Sequence, residues 1–252
     1  MKQVIILGSA SAVPTREQEN THLLIQANQR TILVDCPGNP LVRITESGVD
    51  PQDVTDIILT HFHPDHVSGF ASFLMGLWLL GRSLPIKVYG LEPTIARAKQ
   101  MMEMYEWGSW PNFYPVEFVV IPAESLSTII EDESVLVKAS PVAHMIPTCG
   151  LRVEFRNGGK SMAYSCDTEP SQLVVQLAKD ADILIHEATG SSLGHTSPEQ
   201  AGEVARQAGV KTLYLIHYPP QLGEPSRLVE QASLAFAGPV LLAKDFDKID
   251  LN

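Results

Sequence analysis

Four side chains able to hold a metal ion stand within the six positions HFHPDH: His61, His63, Asp65 and His66. Imidazole and carboxylate together make a zinc-type donor set. In an extended segment His61 and His63 point to one side. Beyond Pro64 the chain can turn Asp65 and His66 toward a second point, so one short loop can feed two ions about 3.5 Å apart. The chain has 8 histidines in 252 residues, which makes a chance cluster of this density the weaker reading. Two ions need more donors. His144 follows the strand-like SVLVKAS, Asp167 ends MAYSC, and His217 ends KTLYLI. Each alone would more often be a packed or surface residue than a ligand. Their order behind H-x-H-x-D-H is what marks them.

Two divalent ions sharing one carboxylate can also share a hydroxide, since Lewis acidity brings the pKa of bound water down to about 7. Asp65 is then expected to bind one ion and accept a hydrogen bond from that hydroxide. Zn2+ suits the donors best, and Mn2+ or Fe2+ use the same types.

These segments resemble the metallo-β-lactamase superfamily, and within it the ribonuclease Z-like branch. The resemblance runs over nearly the whole chain. It rests on LTHFHPDHVSG (59–69), PVAHMIPTCGLRVE (141–154), AYSCDT (163–168), LIHEAT (184–189), GHTSPEQAGEVARQAGVK (194–211) and LIHY (215–218). It implies an α/β fold, a four-layer αββα sandwich, formed as one domain over residues 1–252. It implies one ion on His61, His63, His144 and Asp167. The other ion would sit on Asp65, His66, Asp167 and His217, with Asp167 bridging. It also places His195 beside the substrate phosphate as proton donor to the leaving oxygen, with Glu187 orienting the ring. His195 stands two residues before the helix N-cap Ser197, a position that favours anions. His186 and His22 read as structural. Cys166, where the family often has glycine, reads as a packed thiol.

The elements needed to aim these residues are legible. Strand-like runs cover VIIL (4–7), HLLIQA (22–27) and TILVD (31–35), and a helix spans 40–47 up to Gly48. DIILT (56–60) is a buried strand that delivers His61, and 67–80 reads as one buried helix. IKVYG (86–90), VEFVVI (116–121) and SVLVKAS (134–140) are strands, with a helix over 93–107. LRVEFR (151–156), an NGG turn and SMAYSCD (161–167) form a hairpin. Helices over 171–180, 197–209 and 226–236 alternate with strands at 182–188 and 211–217, and two strand-like runs, VLLAKD and FDKIDL, close the chain. Ser197, Pro198 and Gln200 spell a capping box. The glycine-bearing stretches LGSASAVP (7–14) and DCPGNP (35–40) lack the spacing of a nucleotide motif and read as tight loops near the site.

Composition narrows the substrate. With 18 Lys plus Arg against 29 Asp plus Glu, the net charge is −11, which disfavours a surface that coats nucleic acid. Cys36, Cys149 and Cys166 form no CxxC pair and read as free thiols, so a cytoplasmic protein without a membrane span is expected. Ribonucleases Z that grip tRNA carry a long arm between the counterparts of His144 and Asp167. Here 22 residues lie between them, and the hairpin uses them all. Pro64 stands where those enzymes usually have glycine. The reading this favours is a dinuclear hydrolase, a phosphodiesterase acting on a small or cyclic phosphodiester. The alternatives are tRNA 3′ processing, or ester, lactone or thioester hydrolysis. A metal-stabilised scaffold is disfavoured by the complete ligand set, and a di-iron redox protein by His63, where glutamate is usual. The Met- and aromatic-rich segment 101–118 fits core packing, a pocket wall over the metals, or a homodimer surface.

Overall fold

The computed structural model describes residues 2–221 and 224–252. In chain order the first half runs β1 (Lys2–Gly8), β2 (His22–Ala27), β3 (Arg30–Val34), α1 (Pro40–Glu46), β4 (Asp56–Ile58), α2 (Pro64–Val67), α3 (Phe70–Leu79), β5 (Ile86–Leu91), α4 (Glu92–Met104) and β6 (Val116–Ile121). The second half runs β7 (Ser127–Glu131), β8 (Val135–Val142), β9 (Thr148–Phe155), β10 (Ser161–Tyr164), α5 (Gln172–Ala178), β11 (Ile183–Glu187), α6 (Pro198–Ala208), β12 (Thr212–Ile216), α7 (Ser226–Ser233), β13 (Val240–Leu242) and β14 (Lys248–Asp250).

Among the described residues two seven-stranded sheets form, in the orders β14-β1-β2-β3-β4-β5-β6 and β13-β12-β11-β10-β9-β8-β7. The runs of consecutive apolar residues are explained by their two faces. Val4 and Ile6, Leu23 and Ile25, and Ile183 and Ile185 point into one core shared by both sheets. Their neighbours Ile5, Leu7 and Leu24 point outward under α1, α3 and α4. On the other sheet Leu184, Leu213 and Leu215 lie under α5, α6 and α7. Alternation of period two thus fills three apolar layers from strands buried on both sides. The result is the four-layer αββα arrangement of the metallo-β-lactamase fold. No helix among the described residues is long and apolar enough to cross a membrane.

Three details differ from the sequence reading. The helix expected over 67–80 begins at Phe70 as α3, and a separate short α2, Pro64–Val67, precedes it. At the break, a Cβ on Gly69 would lie 2.6 Å from the Gly38 carbonyl oxygen, because loop 35–40 docks there. The edge strand β7 was not anticipated; its residues are mostly half-exposed or exposed and carry a weak apolar signal. The aromatic segment is not a wall over the histidines. In the parallel order β4-β5-β6, His61 follows the C-terminal end of β4, whereas residues 107–115 precede the N-terminal end of β6, at the opposite edge. There Trp110 stacks on Trp78 near the far end of α3, with ring centroids 5.4 Å apart.

Candidate metal centre

The five metal-type histidines and both aspartates converge at one end of the sandwich, where strands of both sheets stop. Three of these stops are sharp. Asp35 after β3, Cys166 after β10 and His217 after β12 have φ of 62°, 53° and 53°. Left-handed backbone at a residue other than glycine costs of order 1–3 kcal/mol each and persists only where the surroundings impose it. Here it turns Asp35, Asp167 and His217 toward the same point.

Two donor sets result. In the first, His61 Nε2 and His63 Nδ1 are 3.1 Å apart, and His63 Nδ1 and His144 Nε2 are 3.2 Å apart. In the second, Asp65 Oδ2 lies 3.6 Å from His66 Nε2 and 3.5 Å from His217 Nε2. Asp167 stands between the sets. Its Oδ2 is 4.0 Å from both His61 Nε2 and His144 Nε2 and 3.5 Å from His66 Nε2, and its Oδ1 is 3.5 Å from His217 Nε2. Four donors about 2.0–2.1 Å from a common centre lie about 3.3–3.4 Å apart at tetrahedral angles, so spacings of this order suit side chains that could surround a metal ion. His66 Nε2, His217 Nε2 and Asp167 Oδ1 are buried with no hydrogen-bond partner. Such atoms are rare unless an ion or water satisfies them.

The backs of the rings show which nitrogens are free to bind. His66 Nδ1–H donates to Asp35 Oδ2 at 2.8 Å, and His144 Nδ1–H donates to the Gly194 carbonyl at 2.7 Å. His217 Nδ1–H donates to Thr189 Oγ1 at 2.9 Å, and the Thr189 hydroxyl donates to the His217 carbonyl at 2.8 Å. His61 Nδ1 lies 3.1 Å from Thr60 Oγ1, which is itself anchored on Asp35. Each outward N–H fixes the tautomer and leaves the Nε2 lone pair facing the centre. Burial, reinforced by the neighbouring His66, holds His61 well below its ordinary pKa, so the ring is neutral. Burial pushes Asp167 up, but the imidazoles of His217 and His66 outweigh that and hold its carboxyl well below the usual range. A neutral His61 and an ionised Asp167 are the states that metal binding requires. For His66 burial is outweighed by the carboxylates of Asp167 and Asp35, so its pKa lies well above the ordinary value and it gives up a proton on binding.

The remaining expected residues also have places. His195 Nδ1–H donates to Glu187 Oε1 at 3.0 Å, and its ring centroid is 5.1 Å from that of His144. Glu187 is fully buried and accepts further hydrogen bonds from the backbone N–H groups of Thr168, Thr196 and Thr189. That carboxylate holds His195 above its ordinary pKa, against partial burial. His186 and His22 are buried, each bonded through Nδ1 to a backbone carbonyl, as structural histidines are. Cys166 Sγ lies 3.6 Å from His61 Nδ1, behind the ring rather than at its donor nitrogen. Both tight loops flank the site: Cys36 N–H donates to the His66 carbonyl and His217 N–H to the Ser9 carbonyl.

Asp35 was not singled out from the sequence, although it closes the strand-like run TILVD as Asp167 closes SMAYSCD. It accepts from Thr60 N–H, Thr60 Oγ1–H and His66 Nδ1–H. Asp35→Asn would turn an amide N–H against the His66 N–H. It is expected to weaken the ion on His66 by about 10- to 100-fold while sparing the ion on His63 and His144. Competition with a graded chelator checks this; equal weakening of both ions would contradict it.

Comparison with known proteins agrees with this architecture. The Ribonuclease Z of Methanothermobacter thermautotrophicus is 26% identical over 291 aligned positions, covering 94% of this chain and 92% of the relative. The metallo-beta-lactamase fold protein YhfI of Bacillus subtilis superposes with a TM-score of 0.82 at 20% identity, covering 98% of each chain. The short form of human tRNase Z superposes with a TM-score of 0.79 at 24% identity, covering 99% of each. Residues 30–218 match the family described as Beta-lactamase superfamily domain, and the chain belongs to the beta-lactamase superfamily.

Proposed function

We propose that this chain is a dinuclear metal-dependent phosphodiesterase. The observation that carries the reading is the convergence of imidazole lone pairs and shared carboxylate oxygens on two points, with the outward N–H groups already committed. His61, His63 and His144 would hold one ion, Asp65, His66 and His217 the other, and Asp167 would serve both. When bound, two divalent ions supply a nucleophile from water near neutral pH and stabilise negative charge on the phosphoryl oxygens. Asp65, whose side chain keeps 15% exposure, orients the attacking water by accepting its hydrogen bond. His195 holds a proton at Nε2 for the leaving oxygen. Glu187 fixes the ring through Nδ1 and favours the protonated form against the cationic centre beside it.

The names of the relatives bear on the substrate. Those named Ribonuclease Z put RNA cleavage, with tRNA 3′ processing as its form, ahead of the small phosphodiester that charge and the short hairpin suggest. One observation keeps the small substrate as the second reading. β9 and β10 are joined by residues 156–160 alone, so this hairpin extends no arm. The alignment of 291 positions exceeds the 252 residues of this chain, so the relative carries segments that this chain lacks.

A panel of precursor tRNA, RNA oligonucleotides, cyclic nucleotides, esters and lactones, assayed with zinc across a range of salt, tests the reading. Cleavage of precursor tRNA at its 3′ side at submicromolar concentration and physiological salt establishes the ribonuclease. Turnover confined to small diesters establishes the second reading. Turnover of esters or lactones but of no phosphodiester would refute both.

A further inference from the structure

Two loops beside the metal centre each leave one large apolar side chain in solvent. Met145 follows directly on His144 and is 53% exposed; Leu193 stands two residues before His195 and is 76% exposed. An exposed leucine alone says little. These two differ because their loops are locked together at the site. The His144 ring donates to the Gly194 carbonyl at 2.7 Å, and Gly194 N–H donates to Glu169 Oε1 at 2.9 Å. Gly194 has φ of +79°, and a Cβ there would come 3.1 Å from Met145 Cγ and 2.8 Å from His144 Nδ1. Met145 Cγ therefore lies against the Gly194 backbone, so Met145 and the loop that carries Leu193 meet beside the ring of His144.

We propose that Met145 and Leu193 form an apolar platform for the leaving-group side of the substrate, and that it takes a flat apolar group such as a nucleobase or aryl ring. This rests on the phosphodiesterase reading, with His195 as proton donor. The leaving oxygen must come within about 2.6–3.2 Å of His195 Nε2. The group bonded to that oxygen then emerges beside the loop carrying Leu193. A thioether and a branched aliphatic chain give such a ring contact area without fixing its identity. Contact of this kind is made in the ground state and the transition state alike, so it acts on KM and leaves kcat unchanged.

Two diesters test this, bis(p-nitrophenyl) phosphate and methyl p-nitrophenyl phosphate. They share the p-nitrophenolate leaving group and differ only on the other side. The double variant Met145→Ser, Leu193→Ser is expected to raise KM for both by about tenfold, with kcat and metal content unchanged. Leu193→Met is expected to behave as wild type. A rise in KM for the bis-aryl diester alone would put the platform on the non-leaving side and overturn the assignment. A fall in kcat at constant KM would also overturn the assignment, because a contact made equally in ground and transition states acts on KM alone. If the wild type cleaves both diesters and the variant is unchanged, the platform fails alone. If the wild type cleaves RNA but neither diester, the platform is overturned and the phosphodiesterase reading stands; if it cleaves no phosphodiester of any kind, both fail.

Discussion

Asp167→Ala is expected to leave the fold intact, weaken the binding of both ions, and cut kcat by about 10³-fold or more. Asp167 is the side chain whose oxygens lie within 4.0 Å of donors from both sets. Removing it takes a shared negative charge from between two cations, so each ion loses a ligand and both lose the charge that offsets their repulsion. His61→Ala removes a donor from one set only and is expected to weaken mainly that ion. Elemental analysis after dialysis against a chelator, run beside the activity assay, separates the two variants. Retention of both ions at wild-type affinity in Asp167→Ala would contradict a bridging role.

His195→Ala is expected to keep both ions and the fold while kcat falls by about 10²–10⁴-fold. The loss should shrink for substrates with good leaving groups, which need no proton donor. A ligand role for His195 is a real competitor, since its ring nitrogens also approach His144 and Asp167 on one side and His217 on the other. We assign His195 to the substrate instead, because His61, His63, His144 and Asp167 on one side and Asp65, His66, Asp167 and His217 on the other already offer four side chains to each point. Glu187→Gln should give a milder loss of the same kind and a distinct pH signature. The Glu187 hydrogen bond raises the His195 pKa, with the charges of Asp167 and Asp65 adding to it. Activity that needs protonated His195 is lost as pH rises through that pKa. In Glu187→Gln this loss should therefore begin at lower pH. Loss of metal from His195→Ala would overturn the assignment.

The side chains that converge were legible because metal chemistry restricts residue types, and because His144, Asp167 and His217 each follow a strand-like run. Doubly buried strands were legible from stretches such as VIIL that are apolar at successive positions, while the four-layer order was implied by the family resemblance. What stayed hidden depended on distant neighbours. Asp35 is one aspartate among many until the fold brings it to His66, 31 positions away. The break at Gly69 depends on loop 35–40 docking against it. The aromatic segment declares itself apolar, but only the parallel order β4-β5-β6 shows that it packs at the far edge from the histidines.

The most direct measurement strips the protein of metal and follows cleavage of bis(p-nitrophenyl) phosphate as Zn2+ is added back in known equivalents. A dinuclear phosphodiesterase should stay slow through the first equivalent, accelerate as the second binds, and level off at two ions per chain. Full activity at one equivalent, or no cleavage of this diester or of RNA at any loading, would contradict it.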